Sequence, residues 1–435
     1  MKSNPAIRRL LVITYHFPPD GSVGGQRWAG LSKYLARLGW EVHVITAAIP
    51  GGDETTPDVH RHVRQRRRIL NDVYKAAVSG PVDTNRQVAG QNAATQRSSS
   101  RFPTLSGVRR LLGSSMNLPD QGRGWVMRAA RVVRSLLRER RFNVVISSGP
   151  PHSAHFAALL GTRGRGTPFW IDMRDPWSVT HEMNTPDDRF VLAERWVLRQ
   201  LEKILFPRAA KVIVNTREFA AALRISDPEL EVIHFPNGID LEQMPARDIG
   251  AVERGSIAYV GTLYAGRNLS TVFAAINALL KDRPEAASML RLNVAGQMQP
   301  RHREQLEQDI VAAGLTSMVK IHGMLPRAQA LGLLGRSHLA LVLAQEQPMC
   351  VPAKLYECVG VGIPTLVIAE QNGAAASEAR RIGAMSLDSR DVNGVRSLLD
   401  DMLAGRMPTT IEPKTPVSYA DLAVEMDRLL RTPER

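Results

Sequence analysis

The stretch from Gln347 to Glu370 carries a lysine and a glutamate whose types and spacing could bind a phosphorylated ligand. Pro352 suits the first turn of a helix, because its ring fixes φ and its missing N–H would have no partner within the helix. The pattern predicts a helix from Pro352 to about Val361. The free N–H groups and the positive dipole end of this helix, with Lys354 beside them, would bind an anion such as a diphosphate.

Glu357 follows Lys354 by three residues and therefore lies on the same face of the predicted helix. A carboxylate so close to an anion site would repel phosphate, but it would accept hydrogen bonds from two neighbouring hydroxyl groups, as a ribose offers. The pair therefore indicates a nucleotide. The alternative is an ordinary helix-to-strand connection of an α/β domain, in which Lys354 and Glu357 form a solvated ion pair.

Buried strands and glycine loops must position these side chains. The run TLVIA after the helix predicts a buried parallel strand. Residues 7–15 predict a first strand, a helix runs from about Gln26 to Leu38, and EVHVITA predicts the next strand. Gly24 and Gly25 then lie at the carboxyl end of the first strand, where doubly wound sheets bind ligands. They do not form a G-x-G-x-x-G fingerprint, which argues against a nicotinamide enzyme.

A second polar group follows the predicted strand in TPFWIDMRDPWS. Asp172, Arg174 and Asp175 would lie at the carboxyl edge of the sheet, on the cleft side. The alternative is a local ion-pair cluster that fixes the loop. His152 follows two prolines, where a histidine is more often a structural loop residue than an acid or base.

The composition indicates a two-domain protein of a reducing compartment. A chain of 435 residues is long enough for two domains, each with its own core. Its two cysteines, Cys350 and Cys358, cannot form a disulfide framework, which favours the cytoplasm. The sequence has no apolar run of roughly 18 residues that would predict a membrane span. It also has no D-x-D motif, so we expect neither a metal site nor a cofactor.

The formal net charge of +14 is concentrated in one segment. Residues 61–141 hold 18 Lys and Arg against 4 Asp and Glu. Nucleic acid is one candidate partner, but aromatic residues are sparse in the segment and no zinc-finger, helix-turn-helix or RNP spacing accompanies the charge. An anionic membrane surface or a lipid pyrophosphate explains the charge more economically.

The composition from Pro50 to about Gly122 predicts a mobile, basic insertion with at most broken helices. The run WVMRAARVVRSLLRERRF follows and predicts an amphipathic helix with an apolar face and a stripe of arginines. By itself this pattern is typical of an ordinary surface helix. Together with the basic insertion it predicts a helix that faces a membrane.

The run PAKLYECVGVGIPTLV resembles the P-S-K-L-x-E-Y-x-A-x-G-x-P-V signature of GT-B retaining glycosyltransferases of family 4, the glycosyl transferases group 1. In that family the Glu holds the ribose of the donor and the Lys holds its phosphate. The resemblance gives these roles to Glu357 and Lys354, with Leu355 beside them at the donor site. Many members have a further Glu that contacts the donor sugar, and Met349 stands in its place here.

Two motifs in the first half are also similar to those of the family. HFPPDGSVGGQRW resembles its FPPxxGGxxxR loop, and SSGPPHSAH with IDMRDPW resembles the SxPPxS and DxRDxW pair that lines the acceptor and sugar side of the cleft. PNGID resembles the hinge between the two domains, which places the boundary near Asp240. The PNG turn itself predicts a positive φ at Gly238.

Two motifs in the second half are similar to phosphate and base loops of the family. YVGTLYAGRN resembles the VGxLxxxKG loop, in which Gly261 begins the loop and Arg267 takes the place of the phosphate-binding Lys. Thr262 stands where the family has a second cation. VKIHGMLPRAQ is similar to the loop that holds the base through backbone groups around Gly323 and Met324.

The resemblance implies an α/β fold of the GT-B type, with two doubly wound Rossmann-like domains facing a cleft. Residues 1–240 would form the acceptor-side domain with the basic insertion, residues 241–415 the nucleotide-sugar-binding domain, and residues 416–435 a helix that crosses back to the first domain.

The resemblance also implies a metal-independent hexosyltransferase. It would move a sugar from a nucleotide-sugar donor, with retention, to a lipid-linked or polysaccharide acceptor in cell-envelope or exopolysaccharide synthesis, and Arg267 and Lys354 would stabilise the leaving diphosphate. The alternatives are a nucleotide-sugar 2-epimerase of the same architecture and a basic nucleic-acid-binding protein, although no nucleic acid is expected. We expect a cytoplasmic protein, peripheral at the inner face of the cytoplasmic membrane.

Overall fold

The computed structural model describes residues 7–20, 22–49, 58–65, 120, 122–178, 189–264 and 266–432. These residues form two parallel sheets with helices on both faces. The strands of the first sheet are β1 (Arg8–Thr14), β2 (Trp40–Ala47), β3 (Val59–Arg64), β4 (Val144–Gly149), β5 (Phe169–Met173), β6 (Lys211–Val214) and β7 (Val232–His234). Its helices are α1 (Val23–Arg37), α2 (Arg123–Glu139), α3 (Ser153–Thr162), α4 (Arg189–Leu205) and α5 (Arg217–Ser226).

The first sheet is doubly wound, with the described strands in the order β3-β2-β1-β4-β5-β6-β7. Alternate residues of β1 enter two different cores: Leu11 and Ile13 pack with residues of α2 and α3, whereas Leu10 and Val12 pack with residues of α1. A parallel strand that is covered on both faces needs a continuous apolar run. The sequence RRLLVIT supplies that run in β1.

Part of the predicted insertion is an ordered edge strand. β3 pairs in parallel with β2, from Val42↔Val59 to Ala47↔Arg64. Its sequence VHRHVR contains Val59 and Val63 on the same face, and β-branched residues favour the pleated conformation. The prediction of an insertion with at most broken helices is therefore wrong for residues 59–64. Residues 50–57, 66–119 and 121 of the insertion lie outside the described residues.

The apolar face of α2 packs inside the first domain. Trp125, Ala129 and Val133 belong to the same core as β1 and α3. Gly161 of α3 allows a close approach, because a Cβ there would lie 2.4 Å from Val133 Cβ. α2 is thus a surface helix whose apolar face is not available to a bilayer, so any membrane contact of this helix is limited to its charged face. Among the described helices, none combines the length and the apolar character needed to cross a membrane.

The second sheet is built in the same way from the second half of the chain. Its strands are β8 (Glu253–Val260), β9 (Arg291–Ala295), β10 (Val319–Gly323), β11 (Ser337–Leu343), β12 (Thr365–Ile368) and β13 (Met385–Leu387). Its helices are α6 (Ser270–Asp282), α7 (Ala286–Met289), α8 (Pro300–Ala312), α9 (Arg327–Arg336), α10 (Ala353–Gly360), α11 (Ala374–Ile382) and α12 (Val392–Leu403). The described strands lie in the order β10-β9-β8-β11-β12-β13, and all neighbours are parallel.

The helix α13 (Tyr419–Arg431) packs against α1 of the first domain. Leu422 and Met426 of α13 share a core with Trp28 of α1. Gly30 of α1 lies under the ring of Tyr419, and a Cβ at Gly30 would lie only 2.2 Å from Cδ2 of that ring. The close helix packing therefore requires glycine at this position.

The two segments that join the domains run side by side. The N–H of Ile239 donates to Val417 O at 2.9 Å, and the N–H of Tyr419 donates to Ile239 O at 2.8 Å. Gly238 is not among the described glycines with positive φ, so the prediction for the PNG turn is wrong. Glycine is needed there for another reason, since a Cβ would lie 2.8 Å from Val417 O.

Candidate functional site

The helix α10 begins at Ala353, directly after Pro352, and its first turn carries no acidic residue. Pro352 provides no side-chain cap. The first turn also has no carboxylate that would screen the positive end of the helix dipole. Leu355 is fully buried, and its N–H donates to Pro352 O at 3.0 Å. The side chain and the amide of Leu355 are both occupied, which corrects its prediction as a donor-binding residue: Leu355 anchors the helix.

The carboxylate of Glu357 is held by two cations. Lys354 Nζ donates to Glu357 Oε2, and Arg327 Nη1 lies 3.2 Å from Glu357 Oε1. The side chain of Glu357 is 15% exposed. A carboxylate has about four lone-pair sites, so this pairing leaves room for further hydrogen bonds from a ligand. Arg327 was not predicted, although its place at the start of α9, just after the Gly323 loop, was a usable signal.

Arg267 is held by neutral neighbours. Its guanidinium lies over the ring of Tyr264 at 4.6 Å, and its Nη2 donates to Gln347 Oε1 at 2.7 Å. The Nε atom is buried and makes no hydrogen bond. Within the described part of the chain, no carboxylate lies within ion-pair distance of Arg267. The cation is therefore oriented by neutral groups and its charge is not neutralised by a partner.

Glycines lie where β8, β9 and β10 end. The N–H of Gly261 donates to Ala295 O at 2.9 Å, and the N–H of Gly296 donates to Gly323 O at 2.8 Å. A Cβ at Gly296 would lie 1.9 Å from Gly261 O, so the strand ends meet too closely for a side chain. Gly296 was missed, and the motif VAG after a predicted strand was its only signal.

The predicted base loop follows β10. Gly323 adopts a φ of +69°, a left-handed conformation that favours glycine. Met324 directly after it is 78% exposed. The loop is thus open to a ligand beside the glycines of β8 and β9, with Arg327 and Glu357 close behind it.

In the first domain, the glycines lie inside the first turn of α1, since this helix begins at Val23 and not near Gln26. Arg174 Nη1 donates to Gly24 O at 2.6 Å and its Nε donates to Gly149 O at 3.2 Å. A Cβ at Gly25 would lie 3.1 Å from Phe17 Cα. Arg174 therefore ties two loops together through carbonyl groups, and the glycines permit that packing.

Asp172 does not face the cleft. Its side chain is 0% exposed and accepts from Trp28 Nε1 at 2.7 Å and Ser148 Oγ at 2.8 Å, and its Oδ1 lies 3.1 Å from Arg27 Nη2. The prediction that Asp172 lines the acceptor side is therefore wrong. It holds Arg27, which in turn donates to Phe235 O at 2.9 Å.

His152 is a packed histidine just before α3. Its ring stacks on Trp177 with 4.5 Å between centroids. Burial, with the nearby His155 and Arg174, lowers the pKa of His152 well below its usual value, so the ring is neutral at physiological pH. Its Nδ1 is buried without a hydrogen bond.

Asp175 lies where the two domains meet. Asp175 is an exposed residue, but desolvation of its carboxyl group by the surrounding protein raises its pKa, against the opposing effect of Arg174. Burial, together with the charge of Asp175, raises the pKa of the Cys350 thiol to about 12, while Arg267 lowers it. The Cys350 loop itself is fixed to the first domain by a hydrogen bond of 3.0 Å from Thr216 Oγ1 to the carbonyl of residue 349.

The predicted residues thus form a connected site between the domains. Asp175, Arg267 and the loop before α10 meet in the cleft, with the glycine strand ends and the Lys354–Glu357 pair on the side of the second domain. Arg174 and His152 support the opposite wall. The arrangement combines a guanidinium without a carboxylate partner among the described residues, a helix N-terminus and half-buried glycine backbone, which are features that suit a phosphorylated ligand.

Comparison with known proteins identifies the type of fold and domain. Residues 24–238 match a family model described as "Glycosyl transferase 4-like domain". No curated protein sequence matches the chain.

Solved structures of sugar-transferring enzymes share the architecture along the whole chain. Sucrose-phosphate synthase from Thermosynechococcus elongatus superposes with a TM-score of 0.64 at 14% identity, covering 98% of each chain. The E. coli structure described as trehalose-6-phosphate bound with UDP-2-fluoro glucose gives a TM-score of 0.58 at 14% identity, over 98% of this chain and 100% of that one. Anabaena HepE in complex with UDP and glucose gives 0.56 at 13% identity, over 97% and 99%.

These findings confirm the predicted α/β fold with two Rossmann-like domains, because the likeness extends over both sheets. Residues 24–238 match a glycosyl transferase 4-like domain, the two sheets have the GT-B architecture of the similar structures, and the protein is an enzyme of the glycosyltransferase type.

Proposed function

We propose that this enzyme transfers a sugar from a nucleotide-sugar donor to a lipid-linked or saccharide acceptor, with retention, in cell-envelope or exopolysaccharide synthesis. The observation that carries the proposal is Arg267: a guanidinium in the cleft that is oriented by Tyr264 and Gln347 but has no carboxylate partner among the described residues. Such a group attracts an anion such as the diphosphate of a nucleotide sugar.

The residues of the second domain account for the nucleotide half of the donor. Lys354 and the N-terminus of α10 bind the diphosphate, and Glu357 accepts from the ribose hydroxyls. The loop at Gly323 and Met324 holds the base through its backbone, and Gly261 lets the ligand approach the sheet. Asp175 and Arg174 belong to the acceptor and sugar side of the cleft.

The reaction breaks the bond between the anomeric carbon and the diphosphate oxygen, and the acceptor oxygen forms the new bond to that carbon. The acceptor proton passes to an oxygen of the leaving phosphate. Negative charge therefore develops on the diphosphate, where Arg267, Lys354 and the helix N-terminus stabilise it. The proposed reaction requires no metal ion or organic cofactor. We assign no side-chain nucleophile.

The known ligands of the similar structures support a UDP-sugar as the first donor to test. HepE was solved with UDP and glucose, and the E. coli structure with UDP-2-fluoro glucose. A thermal-shift panel of UDP-, GDP- and ADP-sugars is the direct experiment, since a ligand at 100 times its Kd adds about 2.7 kcal/mol to stability. Stabilisation by none of the three classes would contradict the proposal.

Product analysis separates this proposal from its alternatives. Incubation with the stabilising donor and no acceptor should leave the sugar configuration unchanged, whereas a 2-epimerase would produce the epimer. Retention on immobilised DNA at moderate salt, without binding of any nucleotide sugar, would instead indicate a nucleic-acid-binding protein.

We also propose that the basic segment, residues 61–141, holds the enzyme at an anionic membrane, at the inner face of the cytoplasmic membrane. The buried apolar face of α2 limits this contact to charge, carried by exposed arginines such as Arg131, Arg134 and Arg138 and by residues outside the described ranges. Each cation near the surface contributes about 1 kcal/mol. A variant that neutralises four arginines of the segment should therefore bind anionic liposomes much more weakly. The four positions are Arg64, Arg66, Arg67 and Arg68.

Flotation with neutral and anionic liposomes at two ionic strengths tests this proposal. A matched control neutralises four arginines of the second domain: Arg301, Arg303, Arg336 and Arg406. The control should float like the unmodified protein. Equal flotation of all proteins with both lipid compositions would show that the basic segment serves another purpose.

A further inference from the structure

One face of the first sheet, at its β3 edge, carries a cluster of histidines that the cleft does not use. Glu41 and His43 are two residues apart on β2, and His60 and His62 are two residues apart on β3. Residues two apart on a strand point to the same face. The register pairs His43 directly with His60, so the four side chains form one group on one face.

The nitrogen and oxygen atoms of this cluster lie at short range. His43 Nε2 is 2.9 Å from Glu41 Oε1, and His43 Nδ1 is 3.0 Å from His62 Nε2. The rings of His43 and His60 lie 4.5 Å apart. One ligand atom each from Glu41, His43 and His60 lies within 4.8 Å of the other two.

We propose that Glu41, His43 and His60 form a binding site for a divalent first-row transition metal ion such as Zn²⁺, with His62 as the outer hydrogen-bond partner of His43. Two imidazoles and one carboxylate are a donor set that such ions favour. The site is independent of the proposed sugar transfer, because none of its residues belongs to the cleft.

The contacts of His43 fit a metal ligand and its outer partner. A metal at Nε2 leaves the proton of His43 on Nδ1, and metal-bound histidines usually donate that proton to a neighbouring acceptor. His62 Nε2 is placed to accept it at 3.0 Å. Both strands belong to a hydrogen-bonded sheet, so the backbone positions of the ligands are fixed before a metal arrives.

Arginine side chains compete with the metal for Glu41. Arg9 Nε donates to Glu41 Oε2 at 2.7 Å, and Arg140 Nη1 donates to Glu41 Oε1 at 2.6 Å. Arg140 occupies the oxygen that faces His43, but its side chain is 46% exposed and can leave into solvent. Removing Arg140 should therefore tighten metal binding, whereas a surface histidine that bound metal adventitiously would not respond.

The test uses the full chain without a polyhistidine tag. Titration with ZnCl₂ by calorimetry gives stoichiometry and affinity, and the visible absorption of added Co²⁺ reports the ligand set. The variants are His60→Ala, which removes a ligand, His62→Ala, which removes the outer partner, and Arg140→Ala, which removes the competitor. His322→Ala is the matched control, since His322 is partly buried on β10 and hydrogen-bonded to Asn293.

We expect one Zn²⁺ per chain, abolished by His60→Ala, weakened about 10- to 100-fold by His62→Ala, and tightened by Arg140→Ala. His322→Ala should bind like the unmodified protein. His60→Gln provides a second ligand deletion should the alanine variant fail to fold. The absence of stoichiometric binding, equal binding by the His60 variants, or a cobalt spectrum with a thiolate band would overturn the proposal, since a thiolate band would place the ion at a cysteine.

Discussion

Replacing Arg267 by methionine should separate catalysis from folding. In the folded protein the Arg267 guanidinium donates to Gln347 at 2.7 Å and lies over the ring of Tyr264 at 4.6 Å, and the Tyr259 hydroxyl lies beside it. Losing the first costs about 1 kcal/mol and losing the second about 0.5–1 kcal/mol. Methionine also removes the buried Nε–H that has no partner, and an unpaired buried donor costs about 1–3 kcal/mol.

These contributions nearly cancel, so the free energy of unfolding of Arg267→Met should change by less than about 1 kcal/mol. The effect on catalysis should be much larger, because the guanidinium contacts the charge that develops on the leaving diphosphate. Removal of one oriented donor of this kind costs about 2.7–4 kcal/mol, or roughly 100- to 1,000-fold in kcat.

Urea unfolding and the release of nucleoside diphosphate from the stabilising donor measure the two quantities. The matched control is Arg303→Met, which breaks an exposed ion pair with Glu307 on α8 and should change neither. The reasoning is refuted if Arg267→Met loses as much free energy of unfolding as it loses in transition-state stabilisation, because Arg267 would then be a structural residue.

Three further predictions concern other parts of the site. Glu357→Gln should weaken calorimetric binding of free UDP or GDP by about 1.5–3 kcal/mol, as expected for a charge-assisted hydrogen bond, and unchanged affinity in the folded variant would contradict the ribose assignment. Asp172→Asn should lower the free energy of unfolding by about 3–5 kcal/mol in urea, because Arg27 would keep a buried charge; a loss below about 1 kcal/mol would show that the pair is dispensable. Burial and then Arg174 lower the pKa of His155 from 6.5 to about 3, so its contribution to stability is complete above pH 6.5 and is lost as pH falls towards 3. Between pH 6.5 and 5 the loss should be about 2 kcal/mol, and His155→Phe should lose that much less; an equal loss in both proteins would rule out this origin.

The sequence was sufficient to predict the fold class, because both sheets depend on patterns that are local. Apolar runs such as RRLLVIT and TLVI give buried parallel strands, and Pro352 gives the start of α10. The positions of Lys354 and Glu357 on one helix face follow from their spacing alone. Their pairing with Arg327 does not, since it depends on how α9 and α10 pack.

The errors concern residues whose environment is set by distant parts of the chain. Asp172 stands at the carboxyl end of a strand, as a ligand-binding residue would, but α1 brings Arg27 and Trp28 over it. The PNG sequence is typical of a turn glycine, but glycine is required at Gly238 because the carbonyl of Val417 packs against it. Val417 lies after the second domain in the sequence. Local propensity carries no information about either contact.

The packing of α13 against α1 has a consequence for how the chain folds during synthesis. The face of α1 around Gly30 stays uncovered until residues 419–431 have left the ribosome, although the strands and the other helices of the first sheet precede Asp240. The second domain lies entirely between them and can fold as a unit in the meantime. The first domain is therefore translated before the second domain, but its fold is completed only after the second domain has been translated. Until then, its uncovered apolar stripe is the surface that a chaperone would bind.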